Sequence, residues 1–260
     1  SRLPAVVLQP LMSVAHGIGL DGALKQTYNG PVHSSYRRCV LGENLADNAP
    51  GTALFPQFES ELYHMVAGEV SGLTDQQLDW KSDHWEWSKW SIRHQVSHMA
   101  SFVFSWLLRQ WADQLFPEGT DHLGELGEYA PSPEGQWLDE GRFRELPSLL
   151  GELDRSMRLA QYVLRRETLA SLREKELALP DTWQGWPQLV KAHSVGMRWD
   201  PTVPNFAYTT LEATFRHLYW ETTTHLYNIQ RLKKAQGLSA AQEIPFDGYW
   251  ALSDWDRSEP

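Results

Sequence analysis

The stretch HLYWETTTHLYNIQ, residues 217–230, decides how the rest of this sequence is read. Leu211, Leu218, His225 and Leu232 recur every seven positions around it, with Thr214, Glu221 and Asn228 as a companion row. That spacing predicts a helix whose seam faces other helices, from about Tyr208 to Lys234. Lys and Arg gather in its last turns, as the helix dipole favours, and Gly237 is a natural stop. Glu221 and His225 lie on the buried seam, where an unpaired carboxylate is expensive. Either that face is wet or something positive sits between the two side chains. An i, i+4 pair projects from one face about a turn apart, close enough to chelate one ion. The same spacing also describes an ordinary surface Glu–His pair, so the pair alone does not choose.

Three further amphipathic segments precede it. Phe55, Phe58, Leu62, Met65, Val66 and Val70 recur at helical spacing from Thr52 and stop at Gly72. Thr74-Asp75-Gln76-Gln77 has the form of a capping box and opens a short helical turn. After the aromatic loop WKSDHWEWSKW, Ser91 caps a second long helix running to about Phe116, with Ile92, Val96, Met99, Val103, Trp106 and Leu107 on its apolar face. Pro147 suits the first turn of a third, whose stripe is Leu149, Leu153, Met157, Ala160 and Leu164, with Pro180 its latest end. The segments Pro117–Arg144 and Asp181–Asn205 read as long irregular connections, the second rich in Trp and Pro. Four long helices, two long crossovers and no convincing strand predict an all-α four-helix bundle over residues 52–236. Residues 1–51 show turn signals but no sustained period and form an extension to which no element is assigned; residues 237–260 form a C-terminal tail.

The second long helix supplies the residue that completes a site. At 100° per residue His98 lies about 110° from the apolar face, on its border beside Gln95 and Phe102, while His94 lies further toward the polar side. His98 is the better placed to reach across the bundle, although a hydrogen-bonded boundary histidine has the same signature. His98, Glu221 and His225 together would make a three-ligand metal site that leaves positions open, as a catalytic metal requires. Two His and one carboxylate suit Zn, and equally Fe(II), Ni or Mn. His217, one turn before Glu221, is placed to hydrogen-bond that carboxylate. His193, Arg198 and Trp199 are expected near the mouth of the site. His84, and His122 with Glu125 and Glu128, lack a helical frame and read as solvated loop residues. His16, His33 and Cys39 match no ligand spacing. No glycine-rich phosphate loop or nucleophile elbow is present.

These residues resemble those of a known superfamily, the DinB-like (DinB/YfiT-like) metal-binding four-helix bundles. WSIRHQVSH, residues 90–98, is similar to the Trp-Ser-aliphatic entry that leads to a ligand His in its second helix. GLTDQQLDWK resembles the linker before that helix, and His217, Glu221 and His225 fall on a row similar to its last-helix signature. The departure is Glu221, where most members carry His. A Glu there resembles the mycothiol-dependent maleylpyruvate isomerases of the superfamily, whose zinc is held by two His and one Glu. The resemblance implies a divalent metal, Zn first, held by His98, Glu221 and His225. It further implies a thiol-dependent transferase or isomerase that activates a low-molecular-weight thiol cosubstrate. A metal-dependent hydrolase and a non-catalytic, metal-binding stress-response bundle remain as alternatives.

Composition sets the outer limits. With 42% hydrophobic and 22% charged residues in 260, the chain is an ordinary globular protein with one large domain. A net charge of −10 argues against nucleic acid or an anionic membrane as partner, and no apolar run is long enough to span a bilayer. A small-molecule substrate is the expected partner, and a homodimer is left open. The start is not read as a signal peptide, and its lack of Met suggests that it is not the natural one. The single cysteine excludes an internal disulfide and favours a reducing compartment, so a cytoplasmic location is expected. Thirteen Trp are unusual, and clustered Trp more often fills a helical core than binds ligand.

Overall fold

In the computed structural model, residues 45–179 and 186–260 are described. They are mostly helical, with one small sheet. Helix α1 (Glu61–Val70) follows two 3-10 turns, Gly51–Ala53 and Pro56–Phe58, so the first periodic segment is not one continuous helix. Pro56 has no N–H for an α-helical ladder, and Phe55 before it takes a non-helical conformation (φ −122°, ψ 58°). Gly72 ends α1 at φ 75°. Thr74 and Gln77 then cap one another reciprocally to start α2 (Asp75–Asp79). Ser91 caps α3 (Ile92–Ser105) by accepting the His94 N–H. The helix expected to continue to Phe116 instead widens into a π-turn at Trp106–Gln110 and resumes as α4 (Ala112–Leu115).

Helix α5 (Leu146–Arg166) carries Pro147 in its first turn and buries its whole predicted stripe. It stops well before Pro180 because Thr168 and Ser171 cap one another and open a separate helix, α6 (Leu169–Glu174). Strand β1 (Glu176–Leu179), helix α7 (Trp186–Ala192) and strands β2 (Met197–Trp199) and β3 (Ala207–Thr210) follow. Thr210 caps α8 (Leu211–Ala235), and Gly237 at φ 74° ends it.

The strands correct the all-α expectation. They form an antiparallel sheet in the order β1-β3-β2, with Leu177 opposite Thr209 and Met197 also opposite Thr209. Each is three or four residues long, too short to show the two-residue alternation by which a strand is recognised. β1 pairs with β3 across α7 and β2, whereas β2 pairs with β3 across the loop that joins them. The described part of the connection Asp181–Asn205 is therefore not irregular: it holds α7 and β2. Gly196 is required where this connection crosses the start of α8, since a Cβ there would lie 2.4 Å from Thr210 Oγ1 and 2.7 Å from the Ala213 Cβ.

Four helices, α1, α3, α5 and α8, share the core: α3 lies against both α5 and α8, and so does α1. One continuous cluster of apolar side chains fills the space between them, including Phe58, Val66, Val96, Leu153, Phe215 and Leu232. Deep in it, Glu69 of α1 is fully buried and takes the Lys233 ammonium at 2.5 Å together with the backbone N–H groups of Ala241 and Gln242. Arg231 reaches out of α8 to the carbonyls of Asp256 and Ser258. Both contacts hold the segment after Gly237 against the helices, so it is a packed part of the molecule rather than a free tail. No helix among the described residues is long and apolar enough to cross a membrane.

Of the N-terminal extension, residues 1–44, with His16, His33 and Cys39, lie outside the described residues. Its last residues pack on the helices. Gly51 N–H donates to the Glu167 carbonyl (2.8 Å), and Leu169 and Ala170 donate to the carbonyls of Ala49 and Asp47 (2.9 Å each). Deletion through residue 51 should therefore cost about 2–3 kcal/mol more than deletion through residue 44, near 1 kcal/mol for each lost hydrogen bond. Urea unfolding of the two truncated proteins measures the difference; equal midpoints would contradict it.

Candidate metal centre

Helices α3 and α8 face one another where His98 meets Glu221 and His225. One ligand atom from each of the three lies within 4.8 Å of the others. His225 Nε2 is 3.2 Å from Glu221 Oε2, and the two imidazole centroids are 4.6 Å apart. His98 and His225 are buried, while the Glu221 side chain keeps about a fifth (21%) of its surface exposed. The one-turn spacing on α8 sets the Glu221–His225 pair, and the border position of His98 on α3 brings the third group across.

The outer edge of each ring is already taken. His98 Nδ1 lies 2.6 Å from the Gln136 carbonyl oxygen, which can only accept, so Nδ1 carries the hydrogen. His225 Nδ1 bonds the side-chain oxygen of Gln95, one turn before His98 on α3. Both rings are therefore held as the tautomer whose bare nitrogen is Nε2. For His225 that nitrogen faces Glu221.

The connection between α4 and α5 delivers the Gln136 carbonyl. Pro131 and Leu138 bridge, Ser132 N–H donates to the Trp137 carbonyl at 2.7 Å, and Gly135 turns the chain at φ 72°. The resulting finger is tied to α3 by Leu138 N–H on Ser97 Oγ (3.0 Å). Trp90, at the entry to α3, lies parallel to the His225 ring (9°, 6.1 Å) and edge-on to His98 (5.0 Å), and Trp137 stands against it at 5.3 Å. The WSIRHQVSH stretch thus provides a wall, a helix cap, a core side chain (Ile92), the partner of His225 and a donor.

Burial sets the charge states. It pushes His98 and His225 down to about 3, with the His225 neighbour adding to the effect at His98, so both are neutral at pH 7. It pushes Glu221 up to about 7, against the pull of His98. Two neutral imidazoles and a carboxylate short of positive charge are the donor set a divalent ion would complete.

Other candidates fall elsewhere. His217 does not hydrogen-bond Glu221: its Nδ1 is 3.9 Å from Oε1 and instead lies 2.6 Å from the Tyr249 hydroxyl. The phenol is a closer and better-aimed partner than a carboxylate one turn along the same helix. His193 is buried and bonds the same hydroxyl, whereas Arg198 pairs with Glu176 and Trp199 is exposed, so neither of these lines the site. His94 bonds Ser91 and Glu140. His84 packs on Trp85, His122 on Phe116, Glu125 pairs with Arg158, and Glu128 offers its carbonyl to Arg155. Sequence reasoning missed Gln95, the Gln136 carbonyl and Tyr249. Gln95, one turn from His98, had a readable position; a carbonyl on a loop and a Tyr beyond the last helix had none.

The buried carboxylate has a measurable cost in metal-free protein. A folded-state value near 7 against the ordinary 4.5 means that the proton is bound more tightly in the folded chain. The stability this provides is present below pH 4.5 and lost as pH rises through 7. With chelator present, Glu221→Gln should raise stability at pH 8 by on the order of 2 kcal/mol, reduced from the full linkage value because the group is partly exposed. The gain should shrink toward zero as pH falls to 4.5. Urea unfolding at pH 5 and pH 8 decides it; a variant less stable than wild type at pH 8 would contradict the account.

No family model, curated protein or solved structure matches this chain.

Proposed function

We propose that the chain is a DinB-like four-helix bundle with a small added sheet, and a divalent-metal-dependent enzyme of thiol-transferase or isomerase type. The observation that carries this reading is the convergence of His98, Glu221 and His225, with both imidazole Nδ1 atoms engaged behind them. When bound, the ion would act as a Lewis acid that lowers the pKa of a low-molecular-weight thiol and favours its thiolate.

The protein's own part is positioning. Gln95 and the Gln136 carbonyl fix two neutral imidazoles, and Glu221 supplies the single negative charge. Three protein donors rather than four leave space for a substrate atom. Trp90 and Trp137 wall one side and limit water. The exposed edge of Glu221 marks the side from which a small molecule reaches the donors. His98, His193, His217 and His225 are all kept neutral by burial, so none of these four rings stands ready as an acid.

Protein purified without chelator or polyhistidine tag should carry about one divalent ion per chain by elemental analysis. His225→Ala should lose it and His94→Ala should keep it. Gln95→Leu should weaken metal affinity 10–100-fold, the usual effect of removing the partner that orients a ligand imidazole. Equal metal content in wild type and His225→Ala would remove the site from consideration. For the reaction, the metallated protein is given mycothiol, bacillithiol or glutathione with maleylpyruvate or a generic electrophile. Turnover should require both thiol and metal. Hydrolysis of an ester or amide without any thiol would replace this reading with a hydrolase.

A further inference from the structure

Of the three threonines between Glu221 and His225, Thr224 has a hydrogen-bond partner outside the helix, while Thr222 and Thr223 donate to carbonyls one turn back on α8. Thr224 Oγ1 accepts the Tyr249 backbone N–H at 3.1 Å and lies 3.4 Å from the Trp250 nitrogen. Gly248, at φ 115°, presses so closely on this turn that a Cβ would lie 2.3 Å from Thr223 Oγ1 and 3.2 Å from the Trp220 carbonyl. Only glycine fits there, in both conformation and space. The docked turn drives Tyr249 into the core, 1% exposed. Its hydroxyl sits 2.6 Å from His193 Nε2 and 2.6 Å from His217 Nδ1. A phenol donates one hydrogen and accepts another, so it serves one imidazole N–H and one lone pair whichever ring carries which.

His217, Glu221 and His225 follow one another at four-residue steps on the same face of α8. The His217 nitrogen that Tyr249 holds is also the one that stands 3.9 Å from Glu221 Oε1. An imidazole so placed is a ready fourth donor unless another group claims it. Phe102 and Trp106 pack edge-on to the ring (5.0 and 5.5 Å) and add no polar partner of their own to that nitrogen.

We propose that Tyr249 is a positioning residue that keeps His217 out of the donor set, leaving His98, Glu221 and His225 as a three-donor site with a coordination position open to substrate. The inference rests on the metal reading given under Proposed function. Without the hydroxyl, the buried His217 Nδ1 loses its partner and turns toward Glu221 and the ion held there. A fourth protein donor closes the site, as in structural zinc centres.

The test uses the full chain loaded with cobalt(II), whose visible absorption reports donor number, and azide as the probe of an open position. Wild type should take up one cobalt and shift its spectrum on binding azide. His217→Ala should keep the wild-type spectrum, because His217 is not a donor. Tyr249→Phe, which retains the ring packing, should show a changed spectrum before azide is added and at least tenfold weaker azide binding. The double variant Tyr249→Phe/His217→Ala should restore both. A Tyr249→Phe protein identical to wild type in spectrum and azide affinity overturns the inference alone. So does a His217→Ala single variant with an altered spectrum, a result available even if Tyr249→Phe does not fold. A wild type that takes up no cobalt overturns the metal reading and this inference with it.

Discussion

Two hydrogen bonds orient the centre of this molecule: His98 Nδ1 to the Gln136 carbonyl, and His225 Nδ1 to the Gln95 side chain. Each consumes the outward nitrogen of a buried ring and leaves the other bare. Were either ring flipped or its hydrogen moved to Nε2, the Gln136 carbonyl or the Gln95 side-chain oxygen would lose its donor. The cost of an unsatisfied buried polar group is what keeps both rings as they are. The loop finger, the border register of α3 and the seam of α8 are arranged around that requirement.

The helical frame was largely readable from pattern. Thr74, Ser91 and Pro147 each stand where capping chemistry placed them, and Gly72 and Gly237 end helices at positive φ. Those signals are local, since a cap acts on backbone within a turn of itself. The sheet was not readable, because its strands are too short to show alternation and Leu177 meets Thr209 only across the intervening α7 and β2. The break in the first segment comes at Pro56, inside apolar spacing that continues across it.

The centre divides the same way. Glu221 and His225 were legible because their spacing repeats inside a helix, and His98 because its angle on α3 is a matter of arithmetic. His217 was placed on the right helix with the wrong partner, for the competitor, Tyr249, arrives from beyond Gly237. Glu69 and Lys233 show the same limit: two charges on separate helices form one buried ion pair that also receives backbone N–H groups from the following segment. Periodicity describes which face of a helix is covered and not what covers it.

The Gln95–His225 contact joins positions 130 residues apart. Bringing such distant parts together costs loop entropy before any contact repays it, and chains dominated by pairings of this kind fold slowly. The caps and the turns of α3 and α8 form from neighbours and need no such search. On that ground His98, Glu221 and His225 are expected to converge late, after the helices that carry them have docked. Any ion that the three groups hold would therefore enter a scaffold already assembled rather than serve as the nucleus of its collapse.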